Sequence, residues 1–117
     1  MYAGPSPPQS GRLRNNAEYR KIYEEGARFS GPFFAAFYRR TALDKPTRVG
    51  YTTPRALGNA VVRNRIRRRL REAVRLQWAV DPGWELVFNP RRAIRKAEVA
   101  ALRSEVQRLF RVLQSKT

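Results

Sequence analysis

The chain has 117 residues, with 25 Lys and Arg against 9 Asp and Glu, a formal net charge of +16, and neither Cys nor His. That length supports one domain around a single modest core. Lacking Cys excludes disulfides and thiolate metal sites, and lacking His removes the usual general base and the commonest metal ligand. Such a positive balance favours nucleic acid or an anionic membrane as partner, and the dominance of Arg over four lysines favours phosphate gripped by flat, two-pronged donors.

Taken in chain order, residues 1–11, "MYAGPSPPQSG", read as a disordered tail without the basic start and apolar run of a signal peptide, which leaves residues 12–117 as the single domain. Asn15 followed by Glu18 marks a helix start and Gly26 its stop, which predicts a helix over 16–25 with Tyr19, Ile22 and Tyr23 on one stripe. "PFFAAFYRR" reads as a strand, with Phe33 and Phe37 assigned to one face and Phe34 and Tyr38 to the other. Two readings of those rings stand side by side: one pair lines a groove, or the first helix covers the second face and all four are core. "RVGYTT" predicts a second strand hairpinned to the first and ended by Pro54.

The next segment, "GNAVVRNRIRRRLREAVR", carries seven arginines and one glutamate. Asn59 is the expected N-cap, and Val62, Ile66, Leu70, Ala73, Val74 and Gln77 share one side at helical spacing. Arginines then meet one turn apart at 63/67, 65/69, 67/71 and 71/75, with Arg68/Glu72 the one favourable pair at that spacing. Four like-charged pairs cost about 1–2 kcal/mol before screening, a noticeable share of a typical folding stability, so an absent polyanion is the expected compensation. Arg63 falls inside the apolar arc, a local conflict typical of functional positions. "DPG" at 81–83 forms a turn, "WELVF" at 84–88 a short strand, and Val99, Leu102, Val106, Leu109, Phe110 and Leu113 mark a terminal helix.

The order α-β-β-α-β-α, with room for one additional short strand, implies an α+β domain with a central sheet and helices mainly on one side. No Ser/His/Asp set, Gly-rich phosphate loop or two-metal carboxylate cluster occurs, and the acids fit caps, turns and helix faces, so no protein-borne catalytic centre is expected. Three binding readings fit the basic helix: a structural RNA-binding protein, a helix-turn-helix DNA regulator, and a membrane-surface helix. Strands on both sides of the basic helix fit the second poorly, and the third lacks large apolar anchors before Trp78. Aromatics beside a basic rim would add a platform for single-stranded bases.

In "LGNAVVRNRIRRRLREAVR", the register of Gly58, Asn59, Ala60 and Val61, then Arg63-Asn64-Arg65, Arg67-Arg68 and Arg71-Glu72, resembles the arginine-rich segment of the protein subunit of bacterial ribonuclease P. "RLRNNAEYRKIYEEG", "RVGYTT" and "RSEVQRLFRVL" resemble that family's first helix, pre-motif strand and last helix, so the likeness spans about residues 12–113. It implies a cytoplasmic protein that joins a catalytic RNA to remove the 5′ leader of precursor tRNA, with the RNA performing hydrolysis using bound Mg2+. Arg63, Asn64, Arg65, Arg67, Arg68 and Arg71 would then contact RNA, and Tyr19, Tyr23, Ala35 and Phe37 would line a groove for the leader. The resemblance also implies a left-handed βαβ crossover. Where the family usually carries a Ser-Lys-Lys-like run, this chain has Pro54-Arg55-Ala56, which removes one basic contact.

Overall fold

In the computed structural model, residues 16–116 are described, and the expected tail and the Asn15 cap lie outside them. The elements run α1 (Asn16–Glu25), β1 (Ala27–Ser30), β2 (Phe34–Arg40), β3 (Arg48–Tyr51), a 3-10 turn (Arg55–Leu57), α2 (Ala60–Leu76), β4 (Trp84–Pro90), a second 3-10 turn (Arg92–Lys96) and α3 (Val99–Ser115). This is an α+β domain with one four-stranded mixed sheet of order β1-β2-β4-β3. The extra short strand is β1, which follows α1 directly.

Local chemistry explains the boundaries. Gly26 donates its N–H to the Ile22 carbonyl, and a Cβ there would press on the Ile22 and Tyr38 backbone oxygens at 2.5 and 2.6 Å, so the chain turns from α1 into β1 only with glycine. Asn59 caps α2 by accepting from the Val62 N–H at 2.9 Å. Gly83 adopts a φ of +99° in the turn before β4, a conformation that disfavours any side chain.

The expected hairpin between "PFFAAFYRR" and "RVGYTT" is absent. β2 pairs antiparallel with β1 and β4, while β3 pairs parallel with β4 on its far side. β4, with its apolar run on both faces, takes the central position, and the chain reaches it from β3 only by crossing over through α2. The 41–47 link is held in place by Thr47, whose hydroxyl donates to the Asp81 carbonyl at 2.6 Å and accepts from the Trp84 N–H at 3.3 Å.

Side-chain alternation divides the sheet. Phe34, Ala36, Tyr38, Trp84, Leu86 and Phe88 face the main core, filled from α2 by Ile66, Leu70 and Val74 and from α3 by Leu102, Val106, Leu109 and Phe110. On the opposite face Ile22 of α1 packs on Val87, flanked by Tyr19 and Phe37. Two helices therefore cover one face and α1 part of the other. Phe33 departs from its assigned face: it precedes β2 and packs with the main core. Its backbone there is bent around a buried carboxylate, because Glu105 of α3 accepts from the N–H groups of Phe33 and Phe34 at 3.0 and 2.9 Å.

Glu105 is only 2% exposed. Desolvation raises its pKa above the ordinary glutamate value, opposed by those two N–H donors and by Arg108 and Arg91. A folded-state pKa above the unfolded one means that this group's contribution to stability is complete below the unfolded pKa and is lost as pH rises through the folded value. Glu105→Gln removes that dependence. Thermal melts from pH 4 to 7 are expected to show the variant gaining on the parent chain as pH rises.

Candidate nucleic-acid interface

Three sets of side chains fan out from α2, and helical rotation of about 100° per residue separates them. Arg67 and Arg71 lean towards β3. The Arg67 guanidinium donates to Thr53 Oγ1 at 2.7 Å and to Asn64 Oδ1 at 3.0 Å, and Arg71 lies 5.7 Å from the centre of the Tyr51 ring. Arg69 leans the other way, donating to the carbonyls of Ile94, at 3.0 Å, and Ala97. Asn64, Arg65 and Arg68 stand between these flanks, exposed.

This fan corrects two expectations about the cost of crowding. Glu72 pairs with Arg75 at 2.6 Å instead of Arg68, both partners being exposed, and that neighbour holds the Glu72 carboxyl below the usual range. With Arg75, four of the seven arginines have contacts inside the chain, the others being Arg67, Arg69 and Arg71, so part of the charge does have a structural use. Arg63 is half-buried, and its Nε is shut off from solvent without a hydrogen-bond acceptor among the described residues. An Arg donor in that state costs free energy that an incoming acceptor would recover.

Beside the Arg67 flank lies an open cleft of about 540 Å³ lined by Tyr23, Thr52, Thr53, Pro54, Asn89 and Pro90. Asn89 organises it: its Oδ1 accepts from the Tyr23 hydroxyl at 3.0 Å and from Thr52 Oγ1 at 2.8 Å. Burial raises the Tyr23 pKa, so its hydroxyl remains a proton donor at neutral pH. The other aromatic and small groups expected in a groove lie behind this wall. Tyr19 is half-buried over Gly50, where an added Cβ would come within 2.5 Å of the tyrosine oxygen. Phe37 meets Tyr23 edge-on at 4.9 Å, and Ala35 is buried beside Asn89 in the β2/β4 register.

Asn89, Thr52 and Thr53 were not among the residues singled out from sequence. The signal for Asn89 was available: the two-residue alternation of "WELVF" continues through Asn89-Pro90, placing Asn89 on the same face as Val87. β3 stops at Tyr51, two residues short of the expected end at Thr53, while Pro54 forms the cleft edge, and Arg55 after it is exposed, so one cation survives at this border.

The cleft wall formed by α1 is fixed by a row of charges across the sheet. Arg39 of β2 and Arg48 of β3 lie directly opposite Glu85 of β4. Arg39 bridges Glu85 at 2.8 Å and Glu25 at 3.0 Å, while Arg48 meets Glu85 at 3.7 Å and also pairs with Glu18. Glu18 and Glu25 belong to α1, so the network ties that helix to three strands. These acids are thus more than solvated helix-face residues. Among the described residues no group of three His, Cys, Asp or Glu could hold a metal ion, and no helix is long and apolar enough to cross a membrane.

The model of the ribonuclease P family matches residues 8–114. The chain belongs to the ribonuclease P protein family. It is 38% identical over 100 residues to the ribonuclease P protein component of Symbiobacterium thermophilum, covering 85% of this chain and 87% of that relative. The corresponding protein of Acidothermus cellulolyticus is 35% identical over 112 residues, covering 93% of each. Among solved structures, the RNase P protein from Thermotoga maritima matches with a TM-score of 0.76 at 24% identity, covering 86% of this chain and 96% of that one. A Staphylococcus aureus RNase P protein matches equally well, with a TM-score of 0.76 at 20% identity over 87% and 94% of the two chains. These structural likenesses establish the shared α+β fold, in which α2 follows strand β3 and leads to strand β4 and is no part of a helix-turn-helix.

Replacing Glu85 by Gln breaks the centre of the charge row while leaving each α1 glutamate its own arginine. The expected cost is about 1–2 kcal/mol, given the partial burial of the group. Amide exchange should accelerate in α1 more than in α2, measured by hydrogen–deuterium exchange.

Proposed function

We propose that this chain is the RNA-binding subunit of a ribonuclease P ribonucleoprotein. In this reading the outer face of α2 binds the catalytic RNA and the Tyr23–Asn89 cleft takes the 5′ leader of precursor tRNA, promoting endonucleolytic 5′ maturation in the cytoplasm. The observation that carries it is the Arg67–Thr53 hydrogen bond of 2.7 Å, which sets the arginine helix at the rim of a cleft lined by a half-exposed tyrosine. A cationic rim beside an aromatic wall suits an extended single strand: phosphates meet guanidinium groups while a base stacks or hydrogen-bonds inside.

Division of labour follows from the side chains present. The chain has no His or Cys, and its glutamates in the charge row are engaged by arginine, so its own contribution to the reaction is binding and positioning. Magnesium, bound mainly by the RNA, would supply the activated water for phosphodiester hydrolysis. Arg63, Arg65 and Arg68 would neutralise phosphates of the RNA, lowering the repulsion that its folding and substrate capture must overcome. Arg67 and Arg71, already steered towards β3, would face the strand leaving the cleft. Tyr23, which lines the cleft, would touch that strand directly, with Tyr19, Ala35 and Phe37 supporting the wall behind it.

Leader contacts through one ring and an amide predict modest sequence preference, because every base has a face on which an aromatic ring can stack. If about five arginines each neutralise a phosphate, log K for the catalytic RNA should fall with log salt at a slope of about −4 to −5, so that a fourfold rise in salt weakens assembly several-hundredfold. Tyr23→Ala is expected to lower affinity for precursor tRNA about tenfold in the assembled holoenzyme and to leave mature tRNA affinity unchanged. Equilibrium binding of the two substrates measures this, and equal losses for both would contradict the cleft assignment.

A further inference from the structure

The 3-10 turn Arg92–Lys96 lies on the flank of α2 away from the cleft and carries a second concentration of positive charge. Its position is set by two anchors. Ile94 is fully buried in the main core, and Arg69 of α2 donates to the carbonyls of Ile94 and Ala97 at the end of the turn. Arg91, just before it, is drawn inward by hydrogen bonds to the Gly31 carbonyl and Ser30 Oγ at 2.9 and 2.7 Å. With Ile94 pinned in the core, three residues per turn bring Arg92 and Arg95 into one eclipsed row, and Lys96 beside it. All three are exposed, and no ion pair among the described residues involves them. Glu98, close by in sequence, is the single acid of this stretch, against three cations.

Two like charges eclipsed on a short turn repel each other, and an α2 arginine is committed to holding that turn in place. Arg65 and Arg68 of α2 are likewise exposed cations that no ion pair among the described residues involves. Arg69 joins the two surfaces, so the basic face continues from the outer side of α2 onto the turn. A helix with its side chains is about 10–12 Å across, so cations on its two flanks cannot meet one phosphate. The turn and the cleft rim must engage separate backbone segments.

We infer that Arg92, Arg95 and Lys96 form a second phosphate-binding surface that grips the backbone of the catalytic RNA on the side of α2 remote from the cleft. The inference rests on the proposed RNA-binding role of α2 and extends it. The protein then bridges two backbone segments, one at the turn and one along α2, while the cleft remains open to the leader. Recognition is by charge and spacing, without reading bases.

The test is binding of the full chain to an in vitro transcribed catalytic RNA of bacterial ribonuclease P across a salt series, with backbone footprinting. R92Q/R95Q/K96Q is expected to reduce the salt slope by about 2–3 and to weaken binding about tenfold or more at low salt. It should lose backbone protections at nucleotides distinct from those lost by R65A/R68A, and keep the parent chain's preference for precursor over mature tRNA. The charge-retaining R92K/R95K should bind like the parent, which separates charge from any effect on the turn's fold. Parent-like slope and protections in R92Q/R95Q/K96Q, alongside weakened R65A/R68A, would overturn the second surface alone. Parent-like binding by both variants would overturn it together with the RNA-binding role of α2.

Discussion

A helix with one apolar and one cationic face crosses over from β3 to its parallel neighbour β4 and packs on the face of the sheet, and this placement determines the rest of the surface. The apolar residues Ile66, Leu70 and Val74 fix its rotation against the sheet. Once that rotation is set, Arg67 and Arg71 must approach β3, Arg69 must approach the 92–96 turn, and Arg65 and Arg68 must remain in solvent. Core packing thus sorts the arginines into roles. Hydrophobic burial supplies the energy, and the cationic face is a fixed consequence of it.

The opposite face of the sheet is arranged differently. α1 contributes a single fully buried side chain, Ile22, and is also tied to the strands by the Glu18–Arg48–Glu85–Arg39–Glu25 row. A small apolar contact supplemented by ion pairs holds a helix without closing the groove beside it. This explains how Tyr23 can remain 38% exposed while its neighbour one turn earlier, Tyr19, is packed over Gly50. Of the two readings of the aromatic strand, the one with α1 over the second face is the closer: Ile22 packs on Val87 with Phe37 alongside, none of the four rings lines the cleft, and the cleft opens at the end of the sheet where Asn89 stands.

Much of this was legible in the sequence because local signals and tertiary context agreed. The 16–25 helix, the Asn59 cap, the amphipathic α2 and the terminal helix all carry strong periodicity and clear punctuation. The β2–β3 hairpin was misread because proximity in sequence suggests pairing, whereas β4 inserts between those strands through a crossover that no local pattern encodes. Phe33 was placed by alternation alone, yet Glu105, 72 residues away, bends the backbone ahead of β2. Pairing of Glu72 with Arg75 and the anchoring of the 92–96 turn by Arg69 likewise depend on side-chain directions that a helical wheel gives only in part. In the site, charge and aromatics were visible from residue types, while the Asn89 hinge between Tyr23 and Thr52 required strands distant in sequence to be brought together.

We propose that this surface neutralises and positions RNA while the RNA carries the chemistry. The most direct test of this claim is reconstitution: the purified chain added to a bacterial ribonuclease P catalytic RNA with precursor tRNA at low magnesium. Restored release of the 5′ leader, dependent on both components, is the predicted result. Leader release by the chain alone, or no gain over the RNA by itself, would contradict the account.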